Sequence, residues 1–361
     1  MARIHRYFRA LHDMGASDLH LVARRPPMYR ASGAMEPMPG ERPLSDAGLR
    51  ELLREIVSDE EWAMFEKQHD FDFATAVPGV ARFRGNYLEQ HHGVSAVFRM
   101  IPEEILSAET LGLNTTITNI AKLDSGLALV TGPTGSGKST TLAAIVDCIN
   151  KDLSRHIITI EDPVEFVHQN KRSVLSHRQV GADTNGFGRA LKAALRQDAD
   201  VLLVGEMRDY ETISLAIEAA SMGMLVFGTL HTNGAAKTVA RIIDAFPADQ
   251  QGQARENLSE SIAAVVSQLL AKKQGGGRVA VHEILLRTAG LGGAIREGKS
   301  AMISGVIEGG RAMGMQTMDG ALQQLLKDEV IDGHEAYLKA NDKKLFARWA
   351  SGPEAVAEET T

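Results

Sequence analysis

Along the first hundred residues the spacing of apolar positions changes repeatedly, and each change marks a predicted element. Ile4, Tyr7, Phe8 and Leu11 fall at i, i+3, i+4 and i+7, one apolar face of a helix over residues 1–12. Ser17-Asp18-Leu19-His20-Leu21-Val22 alternates as a strand does, and Pro26-Pro27 and Ser32-Gly33 punctuate turns. Ser45 to Lys67 reads as one helix, with Ser45 as N-cap and Leu49, Leu52, Leu53 and Ile56 as its stripe. Phe71-Asp72-Phe73, Ala81 to Tyr87 and Val94 to Arg99 read as short strands. Residues 1–101 are therefore expected to form a small α+β domain.

A connector follows over 102–116, and from Ile117 the pattern changes. Leu127–Val130, Ile157–Ile160, Val201–Val204 and Leu225–Gly228 are short, nearly all-apolar runs, as suits strands buried on both faces of a parallel sheet. Helical stretches lie between them, the α/β signature. From about residue 250 to 349 the chain reads as mainly helical, apart from Val279-Ala280-Val281. There Ile262, Val265, Val266, Leu269 and Leu270 read as a helical stripe, with Lys272-Lys273 complementing the dipole at its C-terminus. The second domain is thus expected over 117–349. A small, acidic, disordered tail is expected over 350–361.

The candidate chemistry sits where these apolar runs end. Gly132-Pro133-Thr134-Gly135-Ser136-Gly137-Lys138-Ser139 matches G-x-x-x-x-G-K-[ST], which arises by chance in about one chain of this length in a hundred. An apolar strand precedes it and a helix striped by Leu142, Ile145, Val146 and Ile149 follows, the order a phosphate-binding loop needs. Glycines let backbone N–H groups converge on phosphate oxygens, and the helix N-terminus adds partial positive charge. Lys138 is placed to reach the β- and γ-phosphates of ATP, and Ser139 to bind Mg²⁺. The expected binding set is Thr134, Gly135, Ser136, Gly137, Lys138, Ser139 and Thr140. Hydrolysis also needs groups that position water and secure the metal. Three further runs end in Glu161-Asp162-Pro163-Val164-Glu165, in Gly205-Glu206-Met207-Arg208-Asp209 and in Thr229-Leu230-His231-Thr232. Such strand ends form the ligand edge of an open α/β sheet.

Composition excludes several classes. With 361 residues, 44% of them hydrophobic, the chain is long enough for roughly two domains. Lys and Arg number 39 against 46 Asp and Glu, so the bulk basic surface of a nucleic-acid binder is missing and no nucleic-acid partner is expected. A single cysteine, Cys148, cannot form an internal disulfide or a four-cysteine zinc site. No apolar run approaches the ~20 residues of a membrane span, and the basic N-terminus carries no apolar signal region, which leads to an expected cytoplasmic location.

Taken together, GPTGSGKSTTLAA (132–144), TIEDPVEFVH (159–168), RQDADVLLVGEMRD (196–209) and FGTLHT (227–232) resemble the Walker A, Asp box, Walker B and His box of bacterial secretion ATPases. Gly15–Leu21, Pro26-Pro27-Met28, Ala81–Asn86, Val97–Pro102, Gly276–Val279 and Gly314–Asp319 narrow the resemblance to the PilT-type retraction ATPases of type IV pili, over about residues 1–345. The resemblance implies a PAS-like N-terminal domain, a RecA-like ATPase core and a homo-hexameric ring. It further implies ATP hydrolysis at the cytoplasmic face of the inner membrane, driving pilus retraction and twitching motility. The implied partner is an inner-membrane pilus platform protein, with peripheral membrane association through the pilus machine. Glu161 and Glu206 take the roles of the acidic-box carboxylates, with Glu206 beside Ser139 at the metal. Strand-end logic leaves open which is the principal base and leans slightly to Glu206. His231 takes the role of nucleotide sensor. Arg82, Arg84 and Arg99 match arginines that reach the nucleotide, a role suited to neutralising the charge of phosphoryl transfer from a neighbouring subunit. Two departures stand out: Met224 where the family has a histidine, and Gly292 where it has an arginine. They keep open a retraction-accessory or regulatory ring subunit with weak ATPase. The extension and type II secretion branch is disfavoured by the single cysteine.

Overall fold

The computed structural model describes residues 2–31, 34–101 and 104–350. The Ser32-Gly33 turn, residues 102 and 103 of the connector and the tail from 351 lie outside the described residues. The chain forms two units, Met1–Glu104 and Ile105–Thr361.

In chain order the first unit contains α1 (His5–Asp13), β1 (Asp18–Val22), β2 (Met28–Ala31), β3 (Ala34–Pro37), α2 (Asp46–Arg54), α3 (Asp59–Gln68), β4 (Asp70–Val77), β5 (Ala81–Gln90) and β6 (Gly93–Ile101). The strands make one antiparallel sheet in the order β3-β2-β1-β6-β5-β4. Ten of the 18 aromatic residues fall in this unit, and several of them build its core. Phe8 of α1 stacks on Phe83 at 4.3 Å and meets the Phe98 ring edge-on at 4.9 Å. The expected single helix over Ser45–Lys67 is two helices. Ser45 does cap α2, but Ser58 opens a second N-terminus: its hydroxyl accepts from Glu61 N (3.2 Å) while Glu61 Oε2 accepts from Ser58 N (2.7 Å). That reciprocal pair satisfies two donors that only a helix start leaves free.

The second unit contains α4 (Thr115–Ile120), β7 (Gly126–Thr131), α5 (Lys138–Asp152), β8 (His156–Glu161), β9 (Val174–Gln179), α6 (Phe187–Ala194), β10 (Val201–Val204), α7 (Tyr210–Ser221), β11 (Leu225–Leu230), α8 (Ala235–Asp244), α9 (Gln251–Ser261), β12 (Ile262–Lys272), β13 (Arg278–Leu286), α10 (Ala289–Arg296), α11 (Ile303–Gly309), α12 (Met318–Lys327) and α13 (Gly333–Lys339). Its seven-stranded sheet runs β13-β12-β7-β11-β10-β8-β9 and is parallel except for the β12–β13 hairpin. Alternate residues of the same strands go to opposite cores. Leu127, Leu129, Leu202 and Val204 pack under α6 to α11, whereas Ala128, Val130, Val201 and Leu203 pack under α4 and α5. This two-sided burial is why the runs contain almost no polar residue.

The same physics corrects one expectation. The stripe Ile262 to Leu270 is not a helix but part of β12, lying between β7 and β13. Residues 262–268 are all buried, so nothing forces the apolar positions to alternate. Lys272-Lys273 accordingly leads into a hairpin turn rather than ending a helix. Gly275, Gly276 and Gly277 there all hold φ between 79° and 103°, a region that L side chains resist.

Of the two departures from the family pattern, Met224 stands just before β11 and Gly292 within a helix. Met224 packs against the larger core, and its carbonyl accepts from Gly126 N at 3.0 Å. Gly292 lies inside α10, which forms behind the Thr288 cap despite its three glycines. Neighbouring Gly293 has ordinary helical backbone and open space around its Cα. Gly293→Ala is therefore expected to raise stability by about 0.5–1 kcal/mol, read by denaturant unfolding, because alanine lowers the entropy cost of the helix without a clash.

Candidate functional site

β7 stops at Thr131, and the chain folds back through residues 132–137 before α5 begins at Lys138. The loop's inner side is closed. A Cβ on Gly132 (φ 146°) would lie 2.1 Å from Gln268 O, and one on Gly137 (φ 86°) would lie 2.9 Å from Gln268 Nε2. Its outer side is open: nothing stands within 4 Å of the Gly135 Cβ position, and Thr134, Gly135 and Ser139 are exposed or half-exposed. Among the described residues no side chain caps the N-terminus of α5. Its free N–H groups and partial positive charge therefore face the loop.

Two side chains inside the arc fit a phosphate. Lys138 Nζ lies 2.9 Å from Gly132 O and 3.0 Å from Pro133 O. Burial lowers its pKa, and the Glu206 carboxylate works in the opposite direction. Ser136 Oγ is buried with no hydrogen-bond partner among the described residues. A half-buried ammonium and an orphaned hydroxyl within a glycine arc are both satisfied by anionic oxygens.

Because β7, β8, β10 and β11 are parallel, their C-terminal ends share one edge of the sheet. Glu161 is the last residue of β8, Gly205-Glu206 come directly after β10 and His231 directly after β11. Glu206 Oε1 lies 2.5 Å from Arg208 Nε and 3.0 Å from His231 Nε2. Burial opposes ionisation of Glu206, but Arg208 and His231 outweigh it and hold its pKa below the ordinary carboxylate value. Glu161 is 8% exposed, and its Oε2 accepts from Glu165 N at 3.2 Å. At about 4.8 Å per strand, β10 lies roughly 10 Å from β7 and β8 roughly 14 Å. Glu206 thus follows the nearer strand.

The second unit therefore brings together the loop, Lys138, Glu206 and His231, with Glu161 one strand farther out. Arg82, Arg84 and Arg99 belong to the first unit. There Arg84 stands opposite Arg99 in the β5–β6 register. Arg99 Nε pairs with the buried Asp18 carboxylate at 2.7 Å, and Ser17 Oγ donates to the same carboxylate at 2.6 Å. Arg99 thus already has a structural use within its own unit.

A family model described as type II/IV secretion system protein matches residues 4–276. The chain belongs to that family. Within it, the chain is 49% identical over 332 residues to the type IV pilus retraction ATPase PilT of Pseudomonas aeruginosa, covering 92% of this chain and 96% of that protein. A twitching motility protein of Neisseria gonorrhoeae is 46% identical, over 88% and 85% of the two chains. A crystal structure of the pilus retraction motor PilT with bound ADP superposes with a TM-score of 0.88 at 41% identity, over 96% and 99%.

Several residues of this secretion-family site have no role in the reading of the sequence. Arg208 lies inside the Walker B stretch, where spacing alone assigns it nothing. Thr131, Ser267, Thr238 and Thr232 form a group of hydroxyls running from the end of β7 to the residue after His231. Thr131 Oγ1 meets Ser267 Oγ at 2.8 Å and Thr238 Oγ1 at 3.4 Å, and Thr238 Oγ1 meets Thr232 Oγ1 at 2.7 Å. A signal for Ser267 and Gln268 is present, since they are two polar residues in an otherwise apolar run. Arg208→Ala is expected to let the Glu206 carboxyl titrate at higher pH than in the unmodified chain, as followed by NMR of the side-chain carboxyl. An unmoved titration would show that Arg208 does not hold that charge.

Proposed function

We propose that the chain is a motor ATPase that drives type IV pilus retraction, and with it twitching motility. What carries the reading is a phosphate loop with Glu206 and His231 on the same sheet edge, in a chain that matches PilT along nearly its whole length. In this reading the Gly132–Gly137 arc and the first turn of α5 hold the phosphates of ATP, and Lys138 balances the charge of the β- and γ-phosphates. Ser139 and Glu206 would hold Mg²⁺, which when bound neutralises phosphate charge. Glu206, kept ionised by Arg208 and His231, orients the attacking water and takes up its proton. The bond from the γ-phosphorus to its bridging oxygen then breaks, yielding ADP and phosphate. Glu161 serves as the second carboxylate of the edge. His231, bonded to Glu206 and next to the hydroxyl group that leads back to β7, reports whether the γ-phosphate is present. Arg82, Arg84 and Arg99 are proposed to complete the site of a neighbouring subunit in a homo-hexameric ring.

No helix among the described residues is long and apolar enough to cross a membrane. That fits a ring held at the cytoplasmic face of the inner membrane through a pilus platform protein.

Lys138→Ala is expected to lower ATP turnover of the purified chain by at least about a hundredfold, since one lost transition-state charge contact is worth several kcal/mol. Turnover like that of the unmodified chain would refute the site. Arg99→Ala is expected to lower turnover while ADP affinity stays within about twofold, an interaction made in the transition state and not in the ground state. Lost ADP affinity with unchanged turnover per bound ATP would contradict that role.

A further inference from the structure

The floor of the phosphate loop is a buried polar group that no motif covers. Gln268, on β12, is 3% exposed and makes three hydrogen bonds through its side-chain amide. Its Nε2 donates to Ser136 O at 2.6 Å. Its Oε1 accepts from Thr141 Oγ1 of α5 at 2.7 Å and from His282 Nε2 of β13 at 3.1 Å. A backbone carbonyl can only accept, so the contact with Ser136 fixes which end of the amide faces the loop. Gln268 Oε1 then requires a proton on His282 Nε2. Burial pushes the His282 pKa down to about 4, so the ring is neutral near pH 7 and that tautomer suffices. His282 is held from its other side, where its carbonyl accepts from Gln316 Nε2 at 2.7 Å. Gln316 also pairs with Ile284 through both backbone groups. The Gly314–Asp319 motif, which the proposed chemistry does not use, is thereby docked on the hairpin that carries the floor.

Peptide geometry gives this contact a consequence. In a planar trans peptide the C=O and the next N–H point in opposite directions. Anchoring Ser136 O downward onto Gln268 therefore turns the Gly137 N–H toward the open side of the loop. The Thr141 contact fixes the first turns of α5 to the same floor, and the Gln268 carbonyl abuts Gly132 at the other end of the arc. One residue thus touches the beginning, the end and the following helix of the cradle.

We infer that Gln268, oriented by His282, is a positioning residue that sets the phosphate-binding shape of the 132–139 loop. This rests on reading that loop as the nucleotide site. Gln268 touches no reacting atom, so it acts on ground state and transition state alike, and its loss appears in affinity rather than in the chemical step.

The test titrates ADP onto the purified unmodified chain and onto Gln268→Met, which keeps length and volume but has no amide. ATPase kinetics and melting temperature are measured on the same samples. The expected result is an ADP affinity about tenfold weaker and a KM for ATP raised by a similar factor, with kcat within about threefold. His282→Leu is expected to move the same quantities in the same direction by a smaller factor. Where Gln268→Met does not fold, Thr141→Val removes one of the three bonds at constant shape and is expected to weaken ADP about threefold. A lowered melting temperature with ADP affinity and KM unchanged would overturn the inference and leave Gln268 a framework residue. An unmodified chain that does not bind ADP would overturn the nucleotide-site reading itself.

Discussion

The parallel run of β7, β8, β10 and β11 is the constraint on which the rest depends. Parallel strands cannot be joined by short hairpins, so each must lead into a crossover that covers a face of the sheet. Two effects arise together. The strands lose contact with water on both faces, and the C-terminal ends of all four meet at one edge. Residues on those strands are committed to packing, so the chemistry is confined to their ends and the loops beyond: the glycine arc after β7, Glu161 closing β8, Glu206 after β10 and His231 after β11. The spacing of the strands then ranks the carboxylates, because β10 lies closer to β7 than β8 does.

Charge at that edge is arranged in a short series. Lys138 is half-buried, and Glu206 is the carboxylate whose field opposes its desolvation. Glu206 is in turn held ionised by Arg208 and His231, and His231 stands beside the hydroxyls that return to the start of the phosphate loop. The series runs from Lys138 through Glu206 to His231, whose chain neighbour Thr232 leads through Thr238 to Thr131. Beneath it, the β12–β13 hairpin contributes Gln268 and His282 on the face toward the loop. Glu283, buried one position along, accepts from Ala235 N at the start of α8 at 2.7 Å.

Much of this was legible in the residues. The four apolar runs predicted four strands, since two-sided burial leaves a run with no polar positions, and the Gly-Lys-Ser loop falls where such a run meets a helix stripe. The helix over residues 1–12 was legible because α1 buries only one face. The failures have definable reasons. β12 reads as a helix because a strand buried on both faces has no period of its own, and Ile262, Val265, Val266 and Leu269 then match helical spacing by coincidence. The break between α2 and α3 was written in Ser58-Asp59-Glu60-Glu61, a capping box hidden within a longer amphipathic stretch. β9 carries Ser176, His177 and Arg178 and sits at a sheet edge, so it lacks the apolar signature of its neighbours. His231 reaches Glu206 from the end of β11, and Gln268 reaches the phosphate loop from β12, so these pairings join strands distant in sequence and no local spacing encodes them. Arg99 shows the converse. The motif match points to a role toward nucleotide and carries no sign of the local bond to the buried Asp18 that the fold adds.

Extension and retraction would use the same phosphate loop and the same carboxylates, so the direction in which the motor acts is read on the pilus itself. The deciding measurement is a strain lacking the gene, scored for surface pili and for twitching on the same cells. A retraction motor predicts excess surface pili with twitching lost. A strain with no surface pili would contradict the account and place the chain on the extension side.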